Sequence, residues 1–185
     1  MKFTCWYSGF SAAHLSIFAA ALVLANGILL SDSQAKSDVP VPLSQYAGKW
    51  TGTGWGKRDS SAAREAVRCR MTVKSRKATR KLVFSGKCAA TSRTFTLLGH
   101  LAHYPGTNKM TGRWVNPDGV GSMNIVGKRR SNILSFEFRA KDRKSGKKQM
   151  FRNRWILRGS QFSIHTDQLT PAQSTIGSIT FNRKN

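Results

Sequence analysis

The stretch "AGKWTGTGWGKR", Ala47–Arg58, carries glycines at positions 48, 52, 54 and 56 around Trp50 and Trp55. Two readings compete for it, a phosphate-cradling loop and a β-strand. A dinucleotide-binding turn needs G-x-G-x-x-G at the head of a helix, but Gly52, Gly54 and Gly56 run into Lys57 with no helical pattern beyond. A Walker-type loop fails at two positions. Thr51 stands where its first glycine belongs, and Arg58 stands where Ser or Thr must follow Lys57. What remains is a strand with Gly48, Trp50, Gly52, Gly54 and Gly56 on one face. Glycine inside a strand permits sharp bending and close approach, as at a barrel corner, and Trp50 supplies a large apolar plug.

The next segments share that period of two. In "REAVRCRMTVKS", Arg64–Ser75, the residues Val67, Cys69, Met71 and Val73 alternate with Arg68, Arg70, Thr72 and Lys74. In "KLVFSGKCAA", Lys81–Ala90, Leu82, Phe84, Gly86 and Cys88 share a face. Folding the chain back around Ala78 and Thr79 sets Cys69 opposite Cys88, Met71 opposite Gly86 and Val73 opposite Phe84. Directly opposed residues of an antiparallel pair bring their Cβ atoms to about 4.5–5.5 Å, within slight adjustment of a disulfide. The spacing therefore predicts a Cys69–Cys88 bridge that pins this hairpin.

Beyond it, alternating segments recur at intervals of roughly ten residues, punctuated by turn residues, as in an all-β fold. "RTFTLLGHLAHY", "KMTGRWV", "VGSMNIVG", "ILSFEFRA", "QMFRNRWILR", "FSIHT" and "TIGSITFNR" complete a count of about ten strands, with "PGTN", "NPDG" and "DRKSGK" among the turns. Short connections favour antiparallel neighbours, and a long meander removes its exposed edges best by closure. The expectation is an antiparallel up-and-down β-barrel of about 8–10 strands over residues 47–185, with a β-sandwich as the alternative.

"GKW", Gly48–Trp50, resembles the G-x-W motif that opens the first strand of lipocalins, avidins and related calycin barrels. The layout Trp50–Gly54, Arg68–Arg70 and Cys88 also resembles small exported bacterial proteins with such an opening strand. The calycin resemblance implies that Trp50 closes one end of the barrel beneath a basic residue of the last strand, here Arg183 in "TFNRK".

The chain is 185 residues long. Residues 15–30, "LSIFAAALVLANGILL", follow Lys2 and precede "SDSQA", with small Ser33 and Ala35 at the positions a signal peptidase inspects. This pattern predicts a signal peptide over residues 1–35, cleaved after Ala35, then an N-terminal extension over 36–46. The apolar run is shorter than the ~20 residues of a spanning helix, so the expectation is a periplasmic or secreted protein with no stable transmembrane span. Two cysteines in an exported chain also fit a disulfide better than free thiols or metal.

The net charge is +23, and losing Lys2 and Asp32 with the leader leaves it unchanged. Such a field favours polyanions. Cations concentrate in "KSRKATRK" and "GKRRS", nominating Lys74, Arg76, Lys77, Arg80, Lys81, Lys128, Arg129 and Arg130, and again in "KDRKSGKKQMFRNR". In a meander the first two clusters are hairpin tips on one rim. Anionic lipid, acidic polysaccharide or an acidic protein are the expected partners. Nucleic acid is less favoured because Phe151 and Trp155 alternate with Arg152, Arg154 and Arg158, which turns the rings inward and away from the charges. Inhibition of a secreted enzyme is a further alternative. A barrel interior could also hold a small molecule, with Trp114, Phe136 and Trp155 as candidate lining beside Trp50, although small barrels often fill themselves with side chains.

Nothing in the sequence indicates catalysis or a cofactor. His100 and His103 fall on opposite faces of a strand, and His165 with Asp167 supplies two ligands where a metal site needs more. The acidic residues are scattered and there is no G-x-S-x-G elbow.

Overall fold

The computed structural model describes residues 40–117, 121–141, 146 and 148–184, so the predicted signal peptide and residues 36–39 of the predicted extension lie outside the described residues. A 3-10 turn, Leu43–Tyr46, leads into β1 (Gly48–Gly56). There follow β2 (Glu65–Arg76), β3 (Lys81–Ala90), β4 (Thr94–His103), β5 (Lys109–Asn116) and β6 (Gly121–Arg130). The last four are β7 (Ile133–Lys141), β8 (Lys148–Arg158), β9 (Gln161–Thr170) and β10 (Ser174–Arg183). Each strand pairs antiparallel with its sequence neighbours, and β1 pairs with β10 to close the barrel. The sandwich alternative is thereby excluded: closure leaves no sheet edge exposed, which two packed sheets cannot achieve.

The β2–β3 hairpin has the expected register, with Cys69 opposite Cys88, Met71 opposite Gly86 and Val73 opposite Phe84. Its two cysteines form a disulfide with their Cα atoms 4.1 Å apart.

Alternation puts the apolar side chains inside and the Lys, Arg, Ser and Thr of the same strands outside, the reverse of a wall that faces lipid. Ten strands enclose more width than eight, and here large rings occupy it. Phe181 stacks on Phe162 at 4.8 Å, Phe162 meets Trp50 at 4.6 Å and Trp155 at 5.6 Å, and Phe84 touches both Trp155 and Trp114 at 5.2 Å. The series ends in Trp114 against Phe138 and Phe138 against Phe151. Gly52 makes room for this packing, since a Cβ there would lie 2.6 Å from the Phe181 ring. At Gly54 a Cβ would meet the Ser178 carbonyl of β10, so a bare backbone is what allows β1 to approach its closing partner.

One end of the barrel is sealed from below. Trp50 is buried, its indole Nε1 donates to the Tyr46 carbonyl at 3.1 Å, and the Arg183 guanidinium lies 4.3 Å above its ring centre. Arg183 also donates to the carbonyls of Ala47 and Gln45. The sequence reading placed residues up to 46 in an extension; in the structure Tyr46 is fully buried, with its hydroxyl donating to the Asn132 carbonyl at 2.8 Å.

Burial raises the Tyr46 phenol pKa well above the usual tyrosine value, with the Leu157 amide only partly opposing. The unfolded chain releases that proton at about pH 10, where the folded chain retains it. The stabilisation is therefore complete below pH about 10 and lost as pH rises above it. Melting midpoints should fall between pH ~9 and ~11 more steeply for the native chain than for Tyr46→Phe. Equal slopes would exclude Tyr46 as their source.

Candidate polyanion-binding surface

Alternate turns of a closed meander lie at the same end, so the β2–β3, β4–β5, β6–β7 and β8–β9 connections share the end sealed by Tyr46 and Arg183. All eight nominated cations gather there. Lys74 and Arg76 finish β2, Lys77 and Arg80 occupy the tip, Lys81 begins β3, and Lys128, Arg129 and Arg130 finish β6. Backbone hydrogen bonds tie neighbouring tips together: His103 N to Arg80 O at 3.2 Å, Arg129 N to Asn108 O at 2.8 Å, and Val41 N to Ser131 O at 2.8 Å.

Lys74, Arg76, Lys77, Arg80, Lys128 and Arg130 are exposed. Lys81 and Arg129 are half-buried, and the Arg129 Nε is buried with no hydrogen-bond partner among the described residues. The sequence reading put Lys128–Arg130 in a hairpin tip. In the structure, pairing continues through Arg130 opposite Ile133, so the three form the end of a strand and only Ser131 and Asn132 make the turn. Strand alternation then sends Lys128 and Arg130 outward and Arg129 toward the barrel end.

The register sets like charges face to face. Arg76 opposes Lys81, and Lys109, which the sequence reading did not single out, opposes Lys128. Directly opposed like charges destabilise a sheet, by roughly 0.2–1 kcal/mol per pair, unless a counter-charge intervenes. No described carboxylate does so. Asp59 lies in the β1–β2 connection and Glu65 begins β2, both at the other end; Glu137 lies midway along β7 and Asp167 beyond the middle of β9. Hydrogen bonds from Ser61 hold the Asp59 carboxyl below its usual range, and those from Ser92 do the same for Glu65. Both are therefore charged but distant. His100, outward on β4 opposite Arg113, has its pKa lowered by burial and by the charges of Lys81 and Arg113, so it adds no cation at neutral pH.

Of the third basic stretch, residues 142–145 and 147 lie outside the described residues, and its β8 part behaves differently. Arg152 donates to Glu137 Oε1 at 3.0 and 2.7 Å, and Arg154 to Asp167 Oδ2 at 2.9 Å, so both charges are matched within the wall. Phe151 and Trp155 between them face the interior, at 7% and 0% exposure, as the alternation predicts. His165 has its two ring nitrogens against the hydroxyls of Ser163 and Ser178, while Asp167 also accepts from Thr175.

The side chains nominated as ligand lining pack on one another. Trp114 and Phe136 are 6.0 Å apart between ring centres, Phe136 and Trp155 6.0 Å, and Trp114 and Trp155 6.4 Å. The polar residues of the interior, which the sequence reading missed, are Asn153, which accepts from Thr166 at 3.1 Å, and Gln168, whose Oε1 has no partner among the described residues. Their signal was present: Asn153 has the parity of Trp155 on β8. No protein-family model matches the chain, and no curated protein matches it.

Proposed function

We propose that this is an exported, non-catalytic binding protein whose basic barrel end engages an anionic component of the cell envelope. The carrying observation is the pair of like-charged cross-strand contacts at that end, Arg76–Lys81 and Lys109–Lys128, with no described carboxylate beside them. A polyanion laid across the tips supplies the missing counter-charge, and every ion pair it makes relieves repulsion that the fold otherwise bears. The disulfide and the predicted leader support an extracytoplasmic setting. The aromatic packing of the interior favours the outer surface over the lumen as the place of contact. The inward rings of β8 remove the stacking platform that single-stranded nucleic acid uses.

Retention on immobilised acidic polysaccharide and on phosphatidylglycerol vesicles should fall steeply with added salt, because exposed charges are screened within ~8–10 Å at physiological ionic strength. The variant Arg76→Gln/Lys77→Gln/Lys81→Gln/Lys128→Gln should elute at distinctly lower salt. Retention indifferent to salt, or to these four substitutions, would overturn the proposal.

A further inference from the structure

On the outer wall beside the basic end is a depression of about 330 Å3, lined by Lys49, Thr51, Arg70, Thr72, Ser85 and Lys184 together with Trp50 and Met71. It is assembled from four strands' worth of chain in two adjacent rows. In one, Lys49 opposes Thr72 and Thr72 opposes Ser85, while the Lys184 amide donates to the Lys49 carbonyl at 2.8 Å and continues the row on the other side. In the second, Asn182, Thr51, Arg70 and Lys87 stand side by side. The six outward side chains of the depression make no side-chain hydrogen bond or ion pair with any described residue. The ion pairs of the described residues lie instead on Arg93, Arg152 and Arg154.

The depression thus presents two ammonium groups, one guanidinium and three hydroxyls, none of them taken up by a described partner. Lys49 and Lys184 face each other across the β1–β10 seam, and Arg70 faces Lys87. Three cations lining one depression match a dianion better than a monoanion, and a guanidinium fork fits a phosphate's paired oxygens. The hydroxyls suit a ligand that carries hydroxyls of its own. The volume lies at the lower end of the ~300–1,000 Å3 range of small-molecule sites, the scale of one sugar ring and its substituent.

We propose that this depression binds a phosphorylated sugar unit, Lys49, Arg70 and Lys184 holding the phosphate and Thr51, Thr72 and Ser85 the sugar hydroxyls. The inference rests on the polyanion reading above and specifies the repeating or terminal unit recognised beside the basic end.

The test is titration of the 15N-labelled full chain, at low salt, with glucose 6-phosphate, inorganic phosphate, glucuronate and glucose in parallel. Glucose 6-phosphate should shift the amides of Lys49, Thr51, Arg70 and Thr72, and bind at least tenfold more tightly than glucuronate or glucose. Inorganic phosphate should shift the same amides with lower affinity. Lys49→Gln/Arg70→Gln should weaken glucose 6-phosphate at least tenfold, with an unchanged melting midpoint showing that the variant folds. The four-site variant of the barrel end should bind the sugar phosphate as the native chain does. Shifts confined to other strands, or equal affinity for glucuronate, would overturn the phosphate assignment. Equal affinity for inorganic phosphate would overturn the sugar. The two proposals fail separately: loss of polymer retention in the four-site variant with no sugar phosphate binding to the native chain sinks this one alone. Sugar phosphate binding without salt-dependent polymer retention sinks the broader one.

Discussion

Trp155→Ala should lower the free energy of unfolding by about 3–5 kcal/mol, the range for emptying a large aromatic site that cannot collapse. Trp155 has no exposed surface, and its ring centre lies 5.2–6.5 Å from those of Tyr46, Phe84, Trp114, Phe136 and Phe162. It therefore joins the sealed end of the barrel to the middle, and a closed wall of ten strands limits how far its neighbours can move into the space. The phenylalanine variants sharpen the test. The Trp155 Nε1 is buried without a partner among the described residues, so Trp155→Phe removes an unsatisfied donor along with ring volume, and the first change offsets part of the second. Trp50→Phe instead breaks the bond to the Tyr46 carbonyl and reduces the surface beneath Arg183. Denaturant unfolding should rank Trp155→Ala as most damaging and Trp50→Phe as worse than Trp155→Phe. A loss under ~1 kcal/mol for Trp155→Ala would show that the ring is not a core element.

The second large effect is removal of the Cys69–Cys88 bridge. The cysteines are 19 residues apart in sequence, and closing a loop of this size in the unfolded chain is worth about 3 kcal/mol in the chain-entropy model. Both side chains are also buried, at 4% and 1% exposure, so Cys69→Ala/Cys88→Ala adds a small packing loss. The barrel should nevertheless form, because the pairs on either side, Val67–Ala90 and Met71–Gly86, hold the same register through backbone bonds and apolar contact. The expected result is a native far-ultraviolet spectrum with a clearly lower denaturation midpoint. A larger m-value should accompany it, since the unbridged unfolded chain exposes more surface. Unchanged stability in the double variant would mean that the hairpin's register needs no pin.

Much of this architecture is local in origin. Alternation of apolar and charged residues in "REAVRCRMTVKS" and "KLVFSGKCAA" specified strands, their inward faces and, through the facing cysteines, their register. A slip of one residue would have turned Cys69, Met71 and Val73 outward, so only one pairing satisfied both halves of the hairpin. The same logic, repeated at short intervals, led to a meander of ten strands and placed the tips around Lys77 and Lys128 at one end. It was less sure of where strands stop: Lys128–Arg130 read as a loop because they are charged, yet Lys128 and Arg130 point outward at the rim and Arg129 toward the barrel end while all three backbones stay paired.

The buried state of Tyr46 was not legible, because a lone tyrosine ahead of a strand has no periodicity to declare its direction. Only the closed barrel offers it an end to plug and the Asn132 carbonyl to reach. The depression on the outer wall was hidden for a related reason. Lys49, Arg70 and Lys184 stand in three separate segments, each an unremarkable cation on a solvated face. They become neighbours because β1 pairs with β2 on one side and with β10 on the other. Strand identity, face and hairpin register are decided by contacts between residues close in sequence, and the sequence alone determined them here. Which distant cations converge, and which arginines are neutralised by Glu137 and Asp167, depends on the seam that closes the barrel, and that was decided only by the tertiary structure.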